Sequence, residues 1–232
     1  MSLKINSFVG KIPKILFWLC LAFIVGCLIK VFVWEQIYYG EKEGSLRAIA
    51  GPATVDYEEE TEVEEEEITE AQIREHIVAA DEPRYLTIER LGTRNARVLG
   101  VGLTSDNKMG VPKSIYDVGW YNKSSKPGSG GTLLMDGHNG GPTQAGVFKK
   151  LDKLNNGDKI IIERGDGTKF TYEVVENKTM SVEEANTYMG MMQKSPVAGK
   201  ESISLITCTG EWTTERRTYL SRAMVRAVLV EN

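Results

Sequence analysis

Residues Ile15 to Ile29 read ILFWLCLAFIVGCLI without a polar side chain, and beyond Lys30 the run VFVW extends the apolar stretch to Trp34. About twenty such residues match the roughly 30 Å of a hydrocarbon core. The pattern predicts one transmembrane helix over 15–34, with Lys30 snorkelling at one end and Trp34, Tyr38 and Tyr39 at the interface. Next comes DYEEETEVEEEE at 56–67, nine of twelve residues acidic, which reads as solvated and extended. Ile68, Ala71, Ile73, Ile77 and Ala80 then keep a partial 3.6-residue spacing, predicting a short helix within 68–81. From Pro83 the texture changes to short β-branched and apolar runs: RYLTIERL, ARVLGVGL, GTLLMDGH, DKIIIERGDGTKFTYEVVEN, SISLITC and RAMVRAVLV. Gly, Pro, Asn and Asp separate them, and GDG at 165–167 signals a hairpin turn. Only the DKL region near 150–156 and SVEEANTYMGMMQK at 181–194 read as helical. Seven or eight short strands with so few helices predict a mainly β, closed or nearly closed barrel.

Charge divides the chain the same way. Residues 1–81 hold 7 basic and 15 acidic residues, net −8, and residues 82–232 hold 21 basic and 17 acidic residues, net +4. The second value, without a basic stripe interleaved with aromatics, argues against nucleic-acid binding. Lys4, Lys11 and Lys14 precede the apolar run and EQIYYGEKEG follows it, so the positive-inside tendency puts the N-terminus in the cytoplasm and the remainder outside the cell. A cleaved signal peptide is the competing reading, but the run is long for one and no small-x-small site follows promptly. The expected organisation is a cytoplasmic N-terminus (1–14), a membrane anchor (15–34), an acidic extracellular linker with a possible short helix (35–81) and a barrel domain (82–232). The linker reads either as a spacer lifting the barrel off the membrane or as a segment folded back over the barrel mouth near Arg216, Arg217 and Arg222.

Cysteine use then points to chemistry. Cys20 and Cys27 fall within the apolar run, as small fillers or palmitoylation sites, which leaves Cys208 as the only cysteine of the exported part. An odd exported cysteine implies an intermolecular bridge or a reactive thiol, against the bland alternative of a buried, inert one. The two histidines are His76, beside the acidic run, and His138, at the end of GTLLMDGH and the start of a glycine-rich loop. An imidazole near a thiol can take and return its proton. After Cys208, TGEWTTERRTYLS reads as a thirteen-residue loop before the final strand, and antiparallel return brings Arg222 level with Cys208. A guanidinium there can hold a carbonyl and its oxyanion. Arg216, Arg217 and Arg226 crowd the same stretch, so most of these four are ordinary surface charge.

His138, LITC ending at Cys208, and Arg222 opening the last strand, in that chain order, resemble the sortases. The text around the histidine, IYDVGWYNKSSKPGSGGTLLMDGHNGGPTQAGVFKKLDKLNNGDKI, is similar to the corresponding sortase segment, particularly of class F-like and related members. Gly141, Pro142, Val147, Phe148, Leu151, Leu154, Gly157, Asp158 and Ile160 carry that pattern, and the likeness spans roughly 82–232. The resemblance implies a membrane-anchored, eight-stranded β-barrel cysteine transpeptidase. It would cleave an LPXTG-like C-terminal sorting motif of secreted proteins and transfer the acyl group to a cell-wall or pilin amine. It further implies Cys208 as nucleophile, His138 as acid and base, Arg222 as carbonyl and oxyanion holder, and Thr207 as part of the substrate pocket. No cofactor and no metal are implied.

Asp136 shares a strand face with His138 and reads first as a solvated turn carboxylate. Asp117, Glu176 and Glu184 are too scattered to argue a calcium site. Two other functions stay open: a cysteine peptidase in which water resolves the thioester, and a barrel that binds extended peptides without cutting them. A structural domain cross-linked through Cys208 is a further alternative.

Overall fold

The computed structural model describes residues 63–231, apart from Asp106, Arg216 and Arg217. The apolar run 15–34 and the first part of the acidic run lie outside the described residues; among those described, no helix is long and apolar enough to cross a membrane.

Each strand carries one apolar face, and these faces have one place to go. Among the described residues the strands are β1 (Pro83–Ile88), β2 (Thr93–Val101), β3 (Val118–Tyr121), β4 (Thr132–Gly137), β5 (Lys159–Arg164), β6 (Lys169–Ser181), β7 (Ser202–Thr213) and β8 (Thr218–Glu231). They close into a barrel in the order β1-β2-β3-β4-β7-β8-β6-β5, which leaves no open edge. β2–β3 and β4–β7 pair in parallel and the other neighbours antiparallel. Leu86, Ile88, Val98, Leu133, Met135, Ile160, Ile162, Phe170, Tyr172, Ile203, Leu205 and Val225 fill the interior. At roughly 1.5–3 kcal/mol for each such side chain withdrawn from water, this cluster is the main source of the barrel's stability.

Among the described residues, two short α-helices flank the sheet. α1 (Glu70–Arg74) opens with a Thr69–Gln72 capping box and is shorter than the spacing over 68–81 suggested. Its C-terminal carbonyls are taken by the barrel: Tyr85 Oη donates to Ile73 O, and Arg84 donates to His76 O at 2.8 Å and to Arg74 O at 3.3 Å. Ile77 is left 84% exposed as a result of the chain leaving the helix. α2 (Val182–Met192) starts at a Ser181–Glu184 capping box. It lays Ala185, Met189 and Met192 on the outer side of the sheet, against Leu134 and Met224.

The segment after Cys208 differs from expectation. In place of a thirteen-residue loop, β7 runs on to Thr213 and β8 begins at Thr218. Cross-strand partners explain the extension: Trp212 faces Tyr219, with ring centroids 5.2 Å apart and edge to face, and Thr213 pairs with Thr218. The register slips between Thr209 and Trp212, where Gly210 takes φ +84°. That left-handed backbone is the position at which only glycine is unstrained.

Candidate active site

The site is assembled by register. In the parallel β4–β7 pair Asp136 stands beside Ile206, so continuing two places brings His138, just past the end of β4, level with Cys208. In the antiparallel β7–β8 pair Cys208 stands opposite Arg222. Side chains alternate between faces along a strand. Ile203 and Leu205 point into the barrel, so Ile206 and Cys208 belong to the outer face, the face on which α2 covers Leu134 and Met224. Cys208 carries a half-buried thiol.

Local hydrogen bonds hold each member. His138 Nε2 lies 2.7 Å from Pro112 O. A carbonyl only accepts, so Nε2 carries the hydrogen and, in the neutral ring, Nδ1 keeps the lone pair. The buried Asn139 donates from Nδ2 to Cys208 O at 2.7 Å, tying the loop after β4 to the strand that bears the thiol, while its Oδ1 is enclosed without a hydrogen-bond partner. Arg222 Nη1 donates to Tyr219 O and Ser221 O, both at 3.0 Å, so the guanidinium is steadied by the main chain of its own strand.

Thr207, expected to line the substrate pocket, is held by the barrel itself. It is 4% exposed and faces inward, opposite to Cys208, because it is the next residue along the strand. Its hydroxyl donates to Gly137 O at 2.7 Å, so it pins β7 to the end of β4. Asp136 departs from the solvated carboxylate that its place near a turn suggested. Its residue as a whole is half-buried, but Oδ1 is fully enclosed without a hydrogen-bond partner, opposite Gly119 in the β3–β4 pair. Burial pushes its carboxyl well above the usual carboxylate range.

The other candidates are in structural duties. Arg226 is 4% exposed and donates to Glu176 at 2.7 Å and to Lys194 O at 3.0 Å. Burial alone would raise the Glu176 carboxyl, but hydrogen bonds from Lys178, Tyr188 and Arg226 outweigh it and bring it down to about 2. Asp117 takes a two-pronged ion pair from Arg97 at 2.7 and 2.9 Å, and Glu184 caps α2. Among the described residues no group of three or more His, Cys, Asp or Glu side chains is placed to hold a metal. Arg216 and Arg217 lie outside the described residues. Asn139 and Pro112 were not legible as site residues: one acts through an amide that any loop asparagine carries, the other through its backbone carbonyl.

The register of a closed barrel thus brings a thiol, an imidazole and a guanidinium to one strand end. The family model described as Sortase domain matches residues 86–230, and the chain belongs to the sortase family, whose members are cysteine transpeptidases. Among solved structures the chain is similar to a Clostridium perfringens Sortase D5 transpeptidase, at 23% identity over 71% of this chain and 90% of that one, with a TM-score of 0.45. It is also similar to Streptococcus agalactiae sortase C1, at 22% identity over 82% and 86% with a TM-score of 0.48. The SrtA sortase of Actinomyces oris matches at 21% identity over 67% and 83%, with a TM-score of 0.46. No curated protein sequence matches at a significant level.

Proposed function

We propose that this sortase cleaves an LPXTG-like C-terminal motif of secreted proteins and transfers the new acyl end to an envelope or pilin amine. The observation that carries the assignment of roles is the strand register, Cys208 opposite Arg222 with His138 level on the neighbouring strand. The Cys208 thiolate adds to the carbonyl carbon of the Thr–Gly bond, and its electron pair becomes the new C–S bond. Arg222 steadies the oxyanion. As the C–N bond breaks, the His138 imidazolium delivers its proton to the leaving glycine amine, and a thioester remains. The acceptor amine then attacks, gives its proton to His138, and the C–S bond returns its pair to Cys208. The apolar run 15–34, with lysines before it, supports a single membrane pass with the catalytic domain outside the cell.

The test incubates the protein with a fluorescent LPXTG-type peptide, with and without a small amine. Transfer to the amine that disappears in Cys208→Ala, together with labelling of Cys208 by a methanethiosulfonate, is the expected result. Cleavage unaffected by the amine would make the protein a hydrolase, and activity retained in the alanine variant would remove Cys208 from the mechanism. The pH–rate profile should be bell-shaped, since thiolate and imidazolium must coexist.

A further inference from the structure

The acidic segment ahead of the barrel makes its contacts at the two loops that hold His138. Glu64 donates its N–H to Lys113 O at 2.9 Å and accepts from Ile115 N at 3.1 Å, a parallel bridge beside Ser114. Ser114 and Ile115 are buried, and Pro112, whose carbonyl takes the His138 Nε2–H, lies two residues ahead of Ser114. The next residue reaches the other flank. Glu65 accepts from Thr143 N and Gln144 N at 2.8 Å and from the Thr143 hydroxyl at 2.7 Å, in the loop that follows His138. Gly141 makes room for it, since a Cβ there would overlap Glu65 Oε1. The two loops are also joined directly, Val147 N donating to Ile115 O at 2.8 Å, and the second loop closes on itself where Phe148 N donates to His138 O at 3.0 Å. The Thr143 hydroxyl and then the Thr143 and Gln144 amides hold the Glu65 carboxyl below its ordinary range, so it stays charged at neutral pH.

We propose that Glu65 is a positioning residue for His138: with the Glu64 main chain it clasps the Pro112 and Thr143 loops together, so that Pro112 O keeps the imidazole in its Nε2–H tautomer and Nδ1 is left for proton transfer. The inference rests on His138 being the acid and base of the reaction. It gives Glu65 a supporting role in catalysis: Glu65 is bonded to main-chain amides, whereas Arg222 Nη1 is bonded to its own strand's carbonyls. Misplacing a catalytic group by about 1 Å costs on the order of 10²-fold in rate.

The chain has two histidines, so ring ¹⁵N spectra of the full-length protein in micelles contain two sets of signals. His76, whose Nε2 lies 3.0 Å from Val98 O, is the internal reference. In the wild type His138 should read as the Nε2–H tautomer. In Glu65→Ala it should become a mixture of tautomers with His76 unchanged, while kcat falls roughly 10- to 100-fold, KM stays within about twofold and the pH optimum moves. Glu65→Gln keeps one carbonyl oxygen for the loop amides and should fall between, as should Thr143→Val. The exposed neighbour Glu66→Ala should match the wild type. If Glu65→Ala does not fold, Glu65→Gln and Thr143→Val carry the same comparison. Unchanged His138 signals in the Glu65 variants would overturn the clasp, and so would a rise in kcat/KM, which would make the segment an inhibitory cover. A tautomer change in a protein without transpeptidation would retain the clasp and sink the reading of His138 as acid and base.

Discussion

Arg222 and Arg226 lie four residues apart on one strand and one face, yet they occupy opposite kinds of environment. Arg226 is nearly enclosed and ion-paired, so its removal takes the buried partner from Glu176, which keeps only Lys178 and Tyr188, and leaves Lys194 O without its donor. Arg226→Ala should cost about 3 kcal/mol of stability, read as a lower denaturant midpoint. Arg222→Ala should leave that midpoint nearly unchanged and lower kcat by about 10²–10³-fold, with little rescue by lysine, which lacks the planar fork. Comparable kcat losses with no stability difference between the two variants would mean that the roles are misassigned. Asp136 gives a second residue-level expectation. Its carboxyl is raised by burial, so the native state holds a proton that the unfolded state releases, and stability falls as pH rises above the ordinary carboxylate range. Asp136→Asn should therefore raise Tm at neutral pH; a lower Tm would mean that the carboxyl has a favourable use.

At the scale of elements, the β7–β8 hairpin carries both Cys208 and Arg222, and its register is set where the strands slip. Gly210 absorbs that slip at φ +84°, and a Cβ there would meet Ser221 Oγ at 3.1 Å. Gly210→Ala should cost about 1–2 kcal/mol from the left-handed backbone alone. Because the site hangs from this pair, kcat/KM should fall further than a change two residues from the thiol would otherwise explain. A variant that loses stability but keeps full kcat/KM would show that the Cys208–Arg222 register survives without the bulge. The level placement of Cys208 and Arg222 was readable from chain order and antiparallel return. The hairpin's length was not, because Thr, Glu, Arg and Gly read as loop residues and only the Trp212–Tyr219 pairing across the strands shows why they extend.

Over the whole molecule, Glu176 links the barrel to α2 through Tyr188 and Arg226. Its native carboxyl titrates at about 2, below its ordinary value, so the linkage contributes fully above about pH 4.5 and is lost as pH falls towards 2. Urea midpoints should drop across that window, and Glu176→Gln should flatten the drop; an unchanged slope would assign acid sensitivity to other carboxylates.

The sequence by itself determined the barrel, since short alternating runs can bury one face only against one another, and it determined the chemistry available, since the chain beyond the apolar run offers one thiol. It also carried His138, Cys208 and Arg222 in an order that matched a family. Tertiary structure alone decided which way Thr207 faces, that Asp136 is enclosed, and that Asn139, Pro112 and Glu65 support the site. The reason is physical. Burial patterns follow a local period that can be counted along a chain, whereas a backbone carbonyl or a single carboxylate acquires its role only from a partner tens of residues away, such as the 78 positions between Glu65 and Thr143.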